Sequence, residues 1–156
     1  MTRGIRLSVD ESWGTLSRAH TGMLTTLRRD GMPISLPVWF VAIDRRIYVS
    51  GPADTKKFSR IANDPRVSFL VESGESWAEL RGVHLTGTAV IVDDGELLER
   101  VAALLEDKYS RFRTPREAMP DVTRARYETV TTTVEITPDD RILSWDNSRL
   151  FGGSPE

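Results

Sequence analysis

Apolar and polar residues alternate along much of this chain with a period of two, which predicts strands. Residues 23–27 read as the first strand and 34–44 as the second. In the second, Ile34, Leu36, Val38, Phe40 and Ala42 alternate with Ser35, Pro37, Trp39, Val41 and Ile43. Both of its faces are apolar, so one should meet the core and the other, with Trp39, Val41 and Ile43, a partner or ligand. Pro37 has no N–H for a ladder and belongs at an edge, bulge or break. Further strands are expected at 47–51, 66–73, 77–92, 129–137 and 141–145, the last two separated by a turn at Pro138-Asp-Asp140. Tight turns fall at 28–31, where Asp30-Gly31 supplies the positive φ a hairpin needs, at 44–46 and at 74–76. Gly82 and Gly87 predict bulges or coiling in the long fifth strand.

The pattern changes to a helical period in few places. Residues 8–20 form an amphipathic helix, with capping-box spacing between Ser8 and Glu11 and a natural stop at Gly22. A short helix opens at Thr55 and ends at Asn63-Asp64-Pro65. Asp93 and Glu96 have capping-box spacing again. They open a helix to about Ser110 whose stripe of Leu97, Val101, Leu104, Leu105 and Tyr109 is core packing without assigned chemistry. A charged, proline-bearing connection at 111–121 leads to a brief helix at 123–127, and residues 151–156 read as a frayed tail. Hairpin-linked strands in this number argue for an antiparallel barrel or sandwich. No GxGxxG stands at a strand–helix turn, which argues against a Rossmann domain. Without repeats or a linker, a single domain is expected over 1–156, with its core at about 12–150.

Composition narrows the function classes. A chain of 156 residues with net charge −2 offers no basic surface for nucleic acid. No apolar run reaches bilayer length and the first residues hold no apolar signal core, so neither a membrane protein nor an exported one is expected, and the location should be cytoplasmic. The absence of cysteine excludes disulfides and thiolate chemistry. Two histidines without a ligand-spaced partner predict no metal site. No Ser-His-Asp order and no pair of carboxylates suggests acid–base or nucleophilic catalysis, so the catalytic residues stay unassigned.

One stretch stands out chemically. Of three lysines in the chain, two are adjacent, Lys56 and Lys57, where the turn after the third strand meets the short helix. Thr55 precedes them and Arg60 follows one turn on. A helix N-terminus carries unpaired N–H groups and a partial positive charge, so this cluster is a candidate phosphate cradle. The same residues also suit an ordinary solvated helix start.

The order of motifs resembles the pyridoxamine 5′-phosphate oxidase-like family of flavin-binding split β-barrels. The matching pieces are GMLTTLRRDGMP at 22–33, PVWF at 37–40, IYVSG at 47–51, TKKFSRIANDPRV at 55–67, ELRGVHLTGTA at 79–89 and ILSWD at 142–146. The resemblance implies a mainly β fold, a six-to-seven-stranded antiparallel split β-barrel with a few peripheral helices. It implies a homodimer with two cofactor sites at the interface, holding FMN or the deazaflavin F-420. The cofactor phosphate would sit at Thr55, Lys56, Lys57 and Arg60, with Ser50 near the phosphate or ribityl chain. Pro37, Val38 and Trp39 would line the ring. Arg81 would add a second positive group, and Trp145 and Arg149 would reach the partner's site.

Several of these residues admit plainer roles. Trp39 and Trp145 suit a core or interface, Arg81 suits a pair with Glu79 or a carboxylate elsewhere, and Asp146 suits a turn cap. His84 suits a strand position and His20 a helix end. Arg28, Arg29, Arg60 and Arg66 would serve the anionic tail of F-420 or simply solvate turns. True pyridoxamine phosphate oxidases are longer and carry further basic residues, so pyridoxal phosphate synthesis is not expected. The implied activity is hydride transfer to or from a small organic substrate. The alternatives are a non-catalytic module for flavin, haem or an apolar ligand, and a dimer that has lost its cofactor.

Overall fold

The structure, a computed structural model, describes residues 4–152. Seven strands make one antiparallel sheet: β1 Gly22–Leu27, β2 Pro33–Val38, β3 Val41–Ile43, β4 Arg46–Pro52, β5 Arg66–Ser73, β6 Arg81–Ile91 and β7 Thr131–Asp146. Their order across the sheet is β2-β1-β5-β6-β7-β4-β3. The two edge strands, β2 and β3, are joined by Trp39 and Phe40 alone. Such a link cannot cross an open sheet whose strands stand about 4.8 Å apart, so the sheet curls until its edges meet. The product is a mainly β split barrel with four helices around it: α1 Val9–Arg18, α2 Lys56–Asn63, α3 Gly95–Tyr109 and α4 Asp121–Tyr127.

The inward strand positions supply the main core, including Leu24, Val49, Phe69, Val71, Val83, Leu85, Val134 and Ile136, each at most 2% exposed. Trp13 and Leu16 of α1 and Phe58 and Ile61 of α2 join it. Burial of each large side chain contributes about 1.5–3 kcal/mol. A second cluster joins Val41, Ile43 and Tyr48 to Val101, Leu105 and Tyr109 of α3. The expected capping box on α1 is present: the Ser8 hydroxyl accepts from the Glu11 N–H, and the Glu11 carboxylate accepts from the Ser8 N–H at 2.7 Å. The Ser8 backbone and Arg149 together hold the Glu11 carboxyl down at about 2.

The structure corrects the sequence reading in several places. Gly22 is not a helix stop; α1 ends at Ala19, and Gly22 opens β1. A Cβ there would lie 2.1 Å from the Phe69 ring, so the glycine is required by packing. The single strand expected at 34–44 is two, broken at Trp39-Phe40 rather than at Pro37. Pro37 does stand on an edge strand, paired with Met23. Val41 and Ile43 present no open face, because α3 covers them. The fifth strand begins at Arg81; Trp77–Glu79 is a 3-10 turn boxed by Ser76 and Glu79. α3 is capped not by Asp93 but by Asp94, whose carboxylate accepts from the Glu96 and Leu97 N–H groups. The turn expected at 138–140 is absorbed into β7, one strand of 16 residues. Pro138 pairs with Gly87 beside a bulge of β7, where Asp139, Asp140 and Arg141 stand against Thr86 alone, beyond the end of the β4 ladder, and the Asp139 carboxylate accepts from the Thr86 hydroxyl and the Arg141 N–H.

Candidate functional site

The seam of the barrel and the start of α2 form one neighbourhood. β3 pairs with β4 only as far as Tyr48, while residues 49–52 of β4 pair with β7 on their other side. One edge of residues 49–52 is therefore without a strand partner. The Val41↔Tyr48 register, continued two residues, sets Trp39 level with Ser50. The chain Pro37-Val38-Trp39 thus borders the open edge that ends at Ser50, Gly51 and Pro52. The seam is pinned beside this opening by α3: the Phe40 N–H donates to the Tyr109 hydroxyl at 3.0 Å, and the Phe40 carbonyl accepts from Tyr109 and from Lys108 Nζ at 3.0 Å. Trp39 lies flat on Tyr109, with ring centroids 4.5 Å apart and planes 3° from parallel. Burial lowers the Lys108 ammonium to about 8.

The start of α2 breaks several local rules at once. Lys56 and Lys57 occupy the first turn, against the helix dipole, with no acidic residue there. Arg60 stands three and four residues on, where like charges on one helix side repel. Thr55 is the N-cap residue, yet its hydroxyl makes no capping bond. It donates to the Pro52 carbonyl and accepts from Lys57 Nζ at 3.3 Å. Lys57 is half-buried, its ammonium 4.8 Å from the Phe58 ring centre and 3.3 Å from where a Cβ on Gly51 would stand. Burial, then the charge of Arg126 on α4, pushes its pKa down. Ser50 and Thr133 share a hydroxyl–hydroxyl bond of 2.7 Å across the β4–β7 ladder. Arg60 Nη1 is a buried donor without a partner. Among the described residues, no carboxylate lies within 4 Å of Lys56, Lys57, Arg60 or Arg126. Lys57 with Arg126 near it, and Lys56 and Arg60 on the same short helix without a carboxylate partner, together with free helix N–H groups and an unpartnered strand edge, suit the phosphate end of a cofactor.

Other expected residues lie elsewhere in the chain. Ile91↔Val134 and Ser50↔Thr133 place the cradle at one end of β6. Arg81 stands at the other end, roughly 30 Å away at 3.3 Å per residue. It pairs with a carboxylate, as its plainer role expects, and of the two open choices it is a distant one, Asp146 at 2.9 Å, rather than Glu79. Asp146 caps the last turn, as expected, by accepting from Ser148. Burial pushes the Asp146 carboxyl up, but Ser148 and Arg81 outweigh this and leave it below its usual range. Arg149 donates to Glu11 at 2.7 Å and to the Arg6 carbonyl, its side chain 9% exposed. Trp145 covers Gly82. Arg28 and Arg66 are paired with Asp30 and Asp64. His84 stands on β6 and His20 against the Trp39, Tyr109 and Phe112 rings. Arg126, Thr133, Lys108 and Tyr109 were missed. Nothing in local spacing ties Arg126 to Lys57, 69 positions away, whereas Tyr109 ends a helical stripe with a hydroxyl, the kind of polar handle that seeks a partner when buried.

A curled antiparallel barrel with an open seam and an uncompensated basic helix start defines a split-barrel protein. The chain belongs to the pyridoxamine 5′-phosphate oxidase family, whose model matches residues 10–135. Its fold is similar to that of the conserved hypothetical protein Rv2991 from Mycobacterium tuberculosis, with 31% identity over 100% of this chain and 96% of that one and a TM-score of 0.79. It is also similar to an FAD-binding protein from Mycobacterium smegmatis, at 21% identity over 90% and 98% of the chains and a TM-score of 0.62. An F-420 reductase is similar at 21% identity over 83% and 94%, with a TM-score of 0.60. Among curated proteins, none matches the chain.

Proposed function

We propose that this protein is an oxidoreductase that uses bound FMN or deazaflavin F-420 to move a hydride to or from a small organic substrate. The observation that carries this reading is the uncompensated charge at the start of α2. Folding alone gives no reason to set Lys56 and Lys57 on a helix N-terminus beside Arg60 and Arg126, and a phosphate relieves the repulsion. The bound ring supplies the hydride chemistry. The chain binds, orients and shields it.

In this reading Lys57, Lys56, Thr55 and the first-turn N–H groups hold the phosphate, Arg60 and Arg126 add charge around it, and Ser50 meets the adjoining chain. Pro37, Val38 and Trp39 line the ring, with Trp39 kept flat by Tyr109. The protein acts as a homodimer, in which Arg81, Trp145 and Arg149 of one copy complete the site of the other. A row of outward residues supports a second copy: Met23, Leu70, His84 and Leu143 are cross-strand neighbours on β1, β5, β6 and β7. Met23 and Leu143 are 36% and 58% exposed. Turnover by cofactor-loaded protein with quinones, enones and nitro compounds tests the enzymatic part. Tight cofactor binding without turnover across that panel would make the protein a carrier instead.

A further inference from the structure

Tyr109, the last residue of α3, is fully buried, and its hydroxyl stands where two distant stretches of chain meet. It accepts from the Phe40 N–H at 3.0 Å and lies 2.8 Å from the His20 carbonyl and 3.0 Å from the Phe40 carbonyl. A phenol has one hydrogen to donate, and both carbonyls are within its reach. Lys108 Nζ donates to the Phe40 carbonyl at 3.0 Å, which leaves the hydroxyl hydrogen for His20. Burial raises the pKa of the phenol, so it stays protonated and keeps that bond at neutral pH. Trp39 is thereby held on both sides. Before it, the buried Val38 pairs with Gly22 on β1; after it, the buried Phe40 is held by Tyr109 and Lys108. Between the end of β2 and the start of β3, a hydroxyl from α3 does the work of a strand partner.

Packing alone does not call for this hydroxyl. A phenylalanine would fill the same space and lie on Trp39 in the same way, whereas a buried hydroxyl is costly unless it is bonded. We infer that Tyr109 is a positioning residue for the cofactor ring: its hydroxyl, with Lys108 beside it, fixes the Trp39–Phe40 link and through it the ring-lining residues Pro37, Val38 and Trp39. The inference rests on the proposed cofactor site and adds to it a residue that, being fully buried, acts only through its neighbours. Such placement matters for transfer chemistry, where an error of about 1 Å can cost roughly 100-fold in rate. Tyr48 supplies the contrast. It belongs to the same cluster against α3, is 3% exposed, and donates its hydroxyl to Glu135 at 2.6 Å. That bond joins β4 to β7, which are already laddered there, and holds no part of the seam.

Tyr109→Phe keeps the stacked ring and removes the hydroxyl. The probes are FMN, F-420 and their phosphate-free counterparts riboflavin and deazariboflavin, titrated into the purified full chain by absorbance and fluorescence. Tyr109→Phe should move the visible absorption band of the bound ring and weaken the phosphate-free compound about ten-fold, as loss of one buried hydrogen bond predicts. The affinity ratio between the phosphorylated and phosphate-free forms should stay as in wild type, because the cradle is untouched. Lys56→Ala/Lys57→Ala should do the reverse, lowering that ratio and leaving the band in place. Lys108→Met should move the band in the same direction by less, since the Phe40 carbonyl then takes the hydroxyl hydrogen from His20. Tyr48→Phe should lower the melting temperature as Tyr109→Phe does, yet leave the band and the affinities unchanged. If wild type binds a cofactor, an unmoved band with wild-type affinity in Tyr109→Phe, or an equal shift in Tyr48→Phe, would overturn the inference and leave the cofactor site standing. Wild type that binds neither cofactor would remove the site itself, and the inference with it.

Discussion

Lys57 carries a charge that the fold alone disfavours. Its pKa is lowered by burial and by Arg126, so the protonated form is less stable in the native protein than in the unfolded chain. Lys57→Met should therefore leave the ligand-free protein as stable or more so, by up to about 1 kcal/mol once solvent screening is allowed for, while cofactor binding collapses. Thermal melts beside a binding titration check both halves. Lys108 gives a pH signature of the same kind. Its ammonium titrates at about 8 against roughly 10.4 in the unfolded chain. Between those values the unfolded state binds more protons, so the Lys108 contribution to stability rises with pH and is least favourable below 8. Urea melts of wild type and Lys108→Met should differ increasingly in favour of wild type from pH 8 to 10. Asp146 has the opposite sign: its lowered carboxyl supports the fold above the usual carboxylate range and loses that support in acid. Asp146→Asn strands Arg81, while Arg149 keeps Glu11, and should destabilise by about 3 kcal/mol at neutral pH.

Among the elements, the legible ones were those whose signal is local. β5 at Arg66–Ser73 matched its expected bounds, because a run of strand-forming residues and flanking turn residues coincide there. The hairpin at Asp30-Gly31 and the Ser8–Glu11 box were equally readable, being fixed by φ and by spacing. The misreadings came where a distant residue decides the local outcome. Pro138-Asp-Asp140 looks like a turn until Thr86 and Gly87 are seen opposite, taking it into β7. Trp39-Phe40 looks like strand until Tyr109 replaces the missing ladder partner. The same holds for the proposed cradle: the adjacency of Lys56 and Lys57 at a helix start is visible in the sequence, the approach of Arg126 to Lys57 is not. Gly22 tests the packing account of β1. Gly22→Ala drives a methyl into the Phe69 ring and should cost about 1–3 kcal/mol by overpacking, measurable as a lower urea midpoint with unchanged slope.

In the whole molecule, the curled sheet sets two basic regions at opposite ends of β6, and this separation gives the proposed dimer its purpose. A single chain holds the cradle at one end and Arg81, Trp145 and Arg149 at the other; in the proposed dimer a second copy would bring the two kinds of residue together. Leu143→Arg, in the middle of the exposed apolar row, should convert a dimer to monomer in sedimentation velocity and weaken cofactor binding with it. The most direct test of the central claim is an absorbance and fluorescence titration of wild type and of the Lys56→Ala/Lys57→Ala variant with FMN and, separately, with F-420. Saturable binding of one cofactor by wild type, weakened about 100-fold in a variant that melts no lower, as loss of two charge-assisted contacts predicts, is the expected result. Binding of neither cofactor, or equal binding by both proteins, would contradict the account and return the two lysines to the solvated surface of α2.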